Sequence, residues 1–192
     1  IIGQIDDNNN GISGIEKYFD YELKKRKDSL ILTVDSDIQF LIREELIKAQ
    51  EIFYNIGSTS ILMDVNDGKI LSMISLPDFD INKRENIQDI NYINRATKGV
   101  YELGSVFKTF TFAAGLNEGE IEPDTQFVDL EKKITCAGRP IGEYDDEIPS
   151  DLTAEQILIR SGNIGSVRIG QKVGIEKLKL FLENIGVLNK IE

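Results

Sequence analysis

The sequence predicts an α+β chain in which helices and antiparallel strands follow one another without a repeat. Three observations carry this: apolar residues recur at helical spacing from Ile38 to Phe53, two β-prone runs flank a turn between Ser58 and Ser75, and three helical stretches close the chain after a Gly- and Pro-punctuated region.

In chain order, Ile1 to Asp28 is polar and turn-rich, with Asp6-Asp7-Asn8-Asn9-Asn10-Gly11 in its middle, and reads as an approach segment rather than a core element. Leu30 to Val34 is a short strand candidate. Asp35-Ser36-Asp37 then offers a helix N-terminus, and Ile38, Leu41, Ile42, Leu46, Ala49 and Phe53 form the buried face of the helix that follows. The runs Ile61-Leu62-Met63 and Ile70 to Ile74 flank Asn66-Asp67-Gly68 as a hairpin with both arms expected to be largely buried. From Pro77 to Arg95 the chain is polar, as in a surface excursion. Gly104 precedes a helical run from Ser105 to Leu116, with Gly119 and Pro123 marking its exit.

Between Glu122 and Pro149 short strands and loops are expected, with the acidic run Glu143-Tyr144-Asp145-Asp146-Glu147 at the surface. Thr153-Ala154-Glu155-Gln156 has the form of a capping box, which opens a short helix ending near Arg160. Ser161-Gly162-Asn163 breaks the chain before two further helices, Ile164 to Val173 and Ile175 to Ile185.

The 192 residues, 41% of them hydrophobic, suffice for one domain with a sizeable core. A net charge of −11 argues against general nucleic-acid binding, because phosphate backbones are held by basic surfaces. The local run Lys24-Lys25-Arg26-Lys27 reads as a solvated face or linker. No apolar run reaches the ~18 residues of a membrane span and no export signal is present. The chain begins at Ile1 rather than at a methionine, so an excerpt of a longer protein is expected.

Two absences narrow the chemistry. With no histidine, a Ser-His-Asp triad, a His-bound metal and a histidine base are all excluded from a site within this chain. The single cysteine, Cys136, leaves no internal disulfide and no Cys-rich zinc site. A nucleophile here needs another activator, and lysine is the obvious one.

Ser105-Val106-Phe107-Lys108 places a hydroxyl and an amine three residues apart, on one helix face. Lys108 could take the seryl proton if burial disfavours its ammonium form, and Phe107, Phe110 and Phe112 could help dry the site. At the first helical turn, backbone N–H groups would stabilise negative charge on a tetrahedral intermediate. The spacing alone is weak, since an N-cap serine followed by a solvated lysine gives the same pattern. Ser161-Gly162-Asn163 adds a second hydroxyl and an amide at a helix break. By itself it is read most simply as a helix stop, because Gly and Asn tolerate the left-handed conformation.

Together these segments resemble the class B penicillin-binding proteins, whose signature is Ser-x-x-Lys, Ser-x-Asn and then Lys-Thr-Gly or Lys-Ser-Gly. The run Gly11 to Asp20 is similar to the segment leading into their transpeptidase domains, Leu32 to Gln39 to the opening strand and helix, Met63 to Met73 to the first hairpin, and Asn94 to Ser105 to the approach to the nucleophile. The resemblance covers nearly the whole chain in the family's order. Asn94 to Lys108 and the context of Ser161 look most like the division-specific, septal (FtsI-type) branch, with the elongation branch the close alternative.

The resemblance implies the β-lactamase-like fold, an antiparallel sheet with helices packed on it. Residues 1–28 would be an approach from an N-terminal pedestal, and residues 29–192 the N-terminal part of the transpeptidase domain. It implies a serine D,D-transpeptidase in which Ser105 attacks the penultimate D-alanine of a peptidoglycan stem peptide, Lys108 takes the seryl proton, Ser161 relays a proton to the leaving amine and Asn163 holds the substrate amide while hydrogen-bonding Lys108. β-Lactams would acylate the same serine, and no metal or organic cofactor is implied. Division proteins and a glycosyltransferase are the expected partners of the full-length protein, with an inner-membrane anchor outside this chain and the catalytic domain in the periplasm.

The departures are as specific as the matches. No Lys-Thr-Gly or Lys-Ser-Gly occurs in the chain, and Gly162 stands where the family commonly has serine. The missing strand would supply a carboxylate contact and an oxyanion N–H; one such donor is worth about 10²–10³ in rate. The chain by itself is therefore expected to be inactive. Without the C-terminal sheet strands an exposed edge is expected, and with it self-association. A β-lactamase or β-lactam sensor is disfavoured by the Gly11 to Asp20 run, and a catalytically dead division scaffold by the intact Ser105, Lys108, Ser161 and Asn163.

Overall fold

The structure is a computed structural model and describes residues 1–80 and 93–190. The chain divides into two compact units, Ile1–Tyr101 and Glu102–Glu192.

In the first unit the Asn-rich turn folds on Asp6, whose carboxylate accepts from the backbone N–H of Asn8 and Asn10. Two short helices follow, α1 (Gly14–Tyr18) and α2 (Asp20–Lys25), neither with a buried residue. The expected strand at Leu30–Val34 does not form. Thr33 Oγ1 donates to the Ile70 carbonyl and Asp35 N–H to that of Leu71, but these isolated bonds build no ladder, and Ile31 is 90% exposed.

Helix α3 (Ser36–Phe53) begins where its cap predicts, with the Asp35 carboxylate accepting from Asp37 and Ile38 N–H. It packs on β2 (Ile70–Leu76), which pairs antiparallel with β1 (Ser58–Met63). Gln39 fixes this docking: its Oε1 accepts from Ser72 Oγ and Met73 N–H, while its Nε2 donates to the Met73 carbonyl. The polar Gln39 thus sits inward, whereas Leu41 and Phe53, expected on the buried face, are exposed.

The hairpin is longer than its apolar runs suggested, and only one arm is deeply buried. Ser72, Ile74 and Leu76 alternate into the interior, whereas Ile61, Leu62 and Met63 are exposed. A four-residue helix, α4 (Arg95–Lys98), is capped by the Asn94 side chain. The surface excursion expected between Pro77 and Arg95 falls mostly on residues 81–92, which lie outside the described residues.

The second unit opens with a 3₁₀ turn (Gly104–Phe107) that runs directly into α5 (Lys108–Asn117). Short antiparallel pairs follow: β3 (Gln126–Phe127) with β6 (Leu152–Thr153), and β4 (Lys133–Cys136) with β5 (Arg139–Gly142). Helices α6 (Ala154–Ile159), α7 (Asn163–Val173) and α8 (Ile175–Asn184) complete it, close to their expected limits. The capping box at Thr153 and Gln156 is formed in both directions.

Phe112 and Ala114 of α5, Ile157 of α6, and Ile164, Ile169 and Val173 of α7 centre one buried cluster. Each buried isoleucine contributes roughly 1.5–3 kcal/mol relative to exposure. The packing is close enough to exclude a methyl group at Gly165, where a Cβ would lie 2.6–2.7 Å from three side-chain carbons of Ile157. This cluster holds α5 and α7 side by side and so sets the spacing of the residues they carry.

Candidate active site

Ser105 stands in the 3₁₀ turn, one turn ahead of the α-helix expected to contain it. The entry requires Gly104, whose φ of +55° lies in the left-handed region. In a 3₁₀ turn residues i and i+3 eclipse, so Ser105 remains on the face of Lys108, at the surface. Lys108 opens α5 and is half-buried.

Lys108 Nζ donates to the carbonyl of Ser161 at 2.5 Å, to Asn163 Oδ1 at 2.6 Å and to Ser161 Oγ at 3.1 Å. The structure therefore brings Lys108, Ser161 and Asn163 into one hydrogen-bonded cluster. Ser105 is placed beside it by chain spacing and is not among the three partners.

The sequence folds this way because α6 ends in a Schellman motif. Gly162 N–H donates to the Ile157 carbonyl and Ser161 N–H to that of Leu158. The left-handed residue of this stop is Ser161, at φ +52°, not the Gly or Asn expected to tolerate it. That conformation presents both the carbonyl and the hydroxyl of Ser161 to one lysine. Gly162 has ordinary extended geometry, with the nearest atom 3.6 Å from a hypothetical Cβ, so a serine there fits without displacement.

Asn163 begins α7 and is held from two sides. Its Nδ2 donates to the Gly142 carbonyl at 2.8 Å, which orients Oδ1 toward Lys108. The Glu143 carboxylate accepts from the backbone N–H of Asn163 at 2.6 Å and of Ile164 at 2.9 Å. Sequence reading placed Glu143 in an acidic surface run; its bonding to a helix start twenty residues away leaves no local pattern to find.

Burial pushes the Lys108 ammonium below the usual lysine range, and the Glu143 carboxylate acts in the opposite direction. Three oxygens suit the three N–H donors of an ammonium. Of these, only Ser161 Oγ can reverse its bond and donate to a neutral amine, so the cluster can pass a proton between lysine and serine. An open hollow of about 300 Å³ beside it is lined by Lys108, Thr111, Ile141, Asn163, Ser166, Val167 and Gly170. Among the described residues no group of three or more His, Cys, Asp or Glu could hold a metal ion, and no helix is long and apolar enough to cross a membrane.

The family described as the penicillin binding protein transpeptidase domain matches residues 58–192, which include the whole cluster. The chain belongs to the penicillin-binding protein transpeptidase family. Among its relatives, a probable peptidoglycan D,D-transpeptidase FtsI of Caulobacter vibrioides is 32% identical over 97% of this chain and 32% of its own length. Penicillin binding protein 3 of Mycobacterium tuberculosis superposes with a TM-score of 0.85 at 24% identity, covering 97% of this chain and 44% of that one. The transpeptidase domain of penicillin-binding protein 3 from Burkholderia pseudomallei gives 0.67 at 26% identity, over 81% and 42%. The class B assignment and the α+β transpeptidase fold read from the sequence agree with these findings. The chain spans about a third of the length of the curated relative from Caulobacter.

Proposed function

We propose that these residues form part of the acylation site of a serine D,D-transpeptidase of cell division, in a longer protein whose transpeptidase domain starts near residue 29. The observation that carries this reading is the Lys108 amine, bonded to Ser161 and Asn163 and one turn from Ser105 in a chain of this family.

Ser105 Oγ attacks the carbonyl carbon of the penultimate D-alanine of a peptidoglycan stem peptide as neutral Lys108 takes its proton. The tetrahedral intermediate collapses, the C–N bond breaks, and Ser161 passes a proton to the departing D-alanine amine. Asn163 holds the substrate amide. The ester left on Ser105 is then attacked by an amine of a neighbouring stem peptide, which forms the cross-link and frees the hydroxyl. A β-lactam enters the same first step and stays as the acyl-enzyme. The partners follow from this role: stem peptides and β-lactams at the site, division proteins and a glycosyltransferase elsewhere on the longer protein, a membrane anchor outside these residues and a periplasmic catalytic domain.

Labelling with fluorescent penicillin tests the reading. The longer protein is expected to label covalently and Ser105→Ala to abolish labelling; labelling that survives the substitution overturns the nucleophile assignment. The 192-residue chain alone, without a Lys-Thr-Gly or Lys-Ser-Gly strand, is expected to label little or not at all.

A further inference from the structure

We propose that Glu143 is a positioning residue of this site, which holds Asn163 in place through the start of α7. The proposal rests on the reading of Ser105 and Lys108 as the acylating pair.

The segment after β5 ties together the two helix ends that flank the Ser161-Gly162 break. Tyr144 Oη donates to the Arg160 carbonyl just beyond α6 at 3.4 Å, and Glu143 accepts from the first two N–H groups of α7. Glu143 N–H in turn donates to the Lys132 carbonyl at 3.2 Å, anchoring the segment to the β4 side. Together the Gly142 carbonyl and the Glu143 carboxylate hold the Asn163 side chain and backbone at once.

The residue type matters. Two N–H donors side by side need two acceptor oxygens, which a carboxylate presents and a carboxamide does not. A negative charge at a helix N-terminus is also favoured by the unpaired N–H groups there. Glu143 has a second effect, on the lysine. It is the charged group that opposes the burial of Lys108, holding its proton more tightly than the site otherwise would. On the neighbouring helices, Arg168 of α7 is paired with Glu131, Lys172 of α7 donates to the Glu120 carbonyl and Lys177 of α8 is paired with Glu120.

A purely structural role and a positioning role differ in pH dependence. In Glu143→Gln the limiting rate of penicillin acylation is expected to fall about tenfold or more, because Asn163 is no longer held from both sides. The alkaline-rising limb of the rate profile should also move to lower pH, because loss of the carboxylate lets the ammonium give up its proton sooner. Glu143→Asp, which keeps the charge on a shorter arm, should retain the wild-type limb and recover part of the rate. A rate unchanged in Glu143→Gln, or reduced with an unmoved limb, overturns the proposal.

A second measurement does not depend on turnover. The ¹³Cε signal of Lys108, assigned through Lys108→Arg, should titrate at lower pH in Glu143→Gln than in the wild type; an unchanged titration refutes the role of Glu143. Failure of the acylation reading shows separately, as labelling that persists in Ser105→Ala.

Discussion

At the residue scale, the candidate site contains one serine held where serine is disfavoured. An L-residue in the left-handed region costs about 1–2 kcal/mol, and Ser161 occupies it at the point where α6 stops. A glycine would end the helix without strain but without the hydroxyl beside Lys108. Comparing Ser161→Gly with Ser161→Ala separates the two contributions, since both lose Oγ and only alanine keeps the strain. Ser161→Gly is expected to be more stable than Ser161→Ala by about 1 kcal/mol in urea denaturation. Equal stabilities would show that the left-handed geometry relaxes in solution. The residue types at this site were legible in the chain, because a hydroxyl and an amine three apart and an amide after a helix break are local patterns. The φ of Ser161 was not legible, since Gly162 and Asn163 looked like better candidates for that conformation.

At the element scale, the separation of α6 and α7 is set by a glycine against an isoleucine. Gly165 lets Ile157, which is fully buried, pass within ordinary contact of the α7 backbone. Gly165→Ala is expected to cost about 1–3 kcal/mol through overpacking. Ile157→Ala removes the three carbons that a Cβ at Gly165 would meet, so the double variant should cost clearly less than the two single costs added together. Additive losses in denaturant titrations would mean that the helices shift apart instead. Element type and limits were mostly readable, because capping residues act within a few positions. The Asp35 cap and the Thr153 capping box both formed where they were expected. The strand at Leu30–Val34 did not, because β-propensity without a continuous ladder does not make a strand. The inner face of α3 was misread at Gln39, an amide whose hydrogen bonds to β2 outweigh its polarity.

At the scale of the molecule, burial is uneven. The cluster around Phe112, Ile157, Ile164 and Ile169 lies within the second unit, whereas α1, α2 and α3 of the first contain no fully buried residue. Local opening is cheapest where few apolar contacts must be broken. Hydrogen–deuterium exchange is therefore expected to be slowest in α5 and α7 and fast throughout α1 and α2. Protection of α1 and α2 equal to that of α7 would contradict this distribution. Lys108 and Asn163 sit at the N-terminal ends of α5 and α7, both of which bury residues in this cluster. A site built there keeps its geometry while its surroundings breathe.

The sequence by itself determined the α+β class and most helix limits, pointed to the family by resemblance, and offered Ser105, Lys108, Ser161 and Asn163 as candidate site residues. These follow from short-range patterns of periodicity, capping and motif order. Only the tertiary structure decided that Lys108 bonds to the carbonyl and hydroxyl of Ser161, that Ser161 takes the left-handed position, and that Glu143 holds the start of α7. Each of these joins segments twenty or more residues apart, or sets one dihedral through packing on both sides. Such choices arise from what surrounds a residue in space, and neighbours along the chain carry no trace of them.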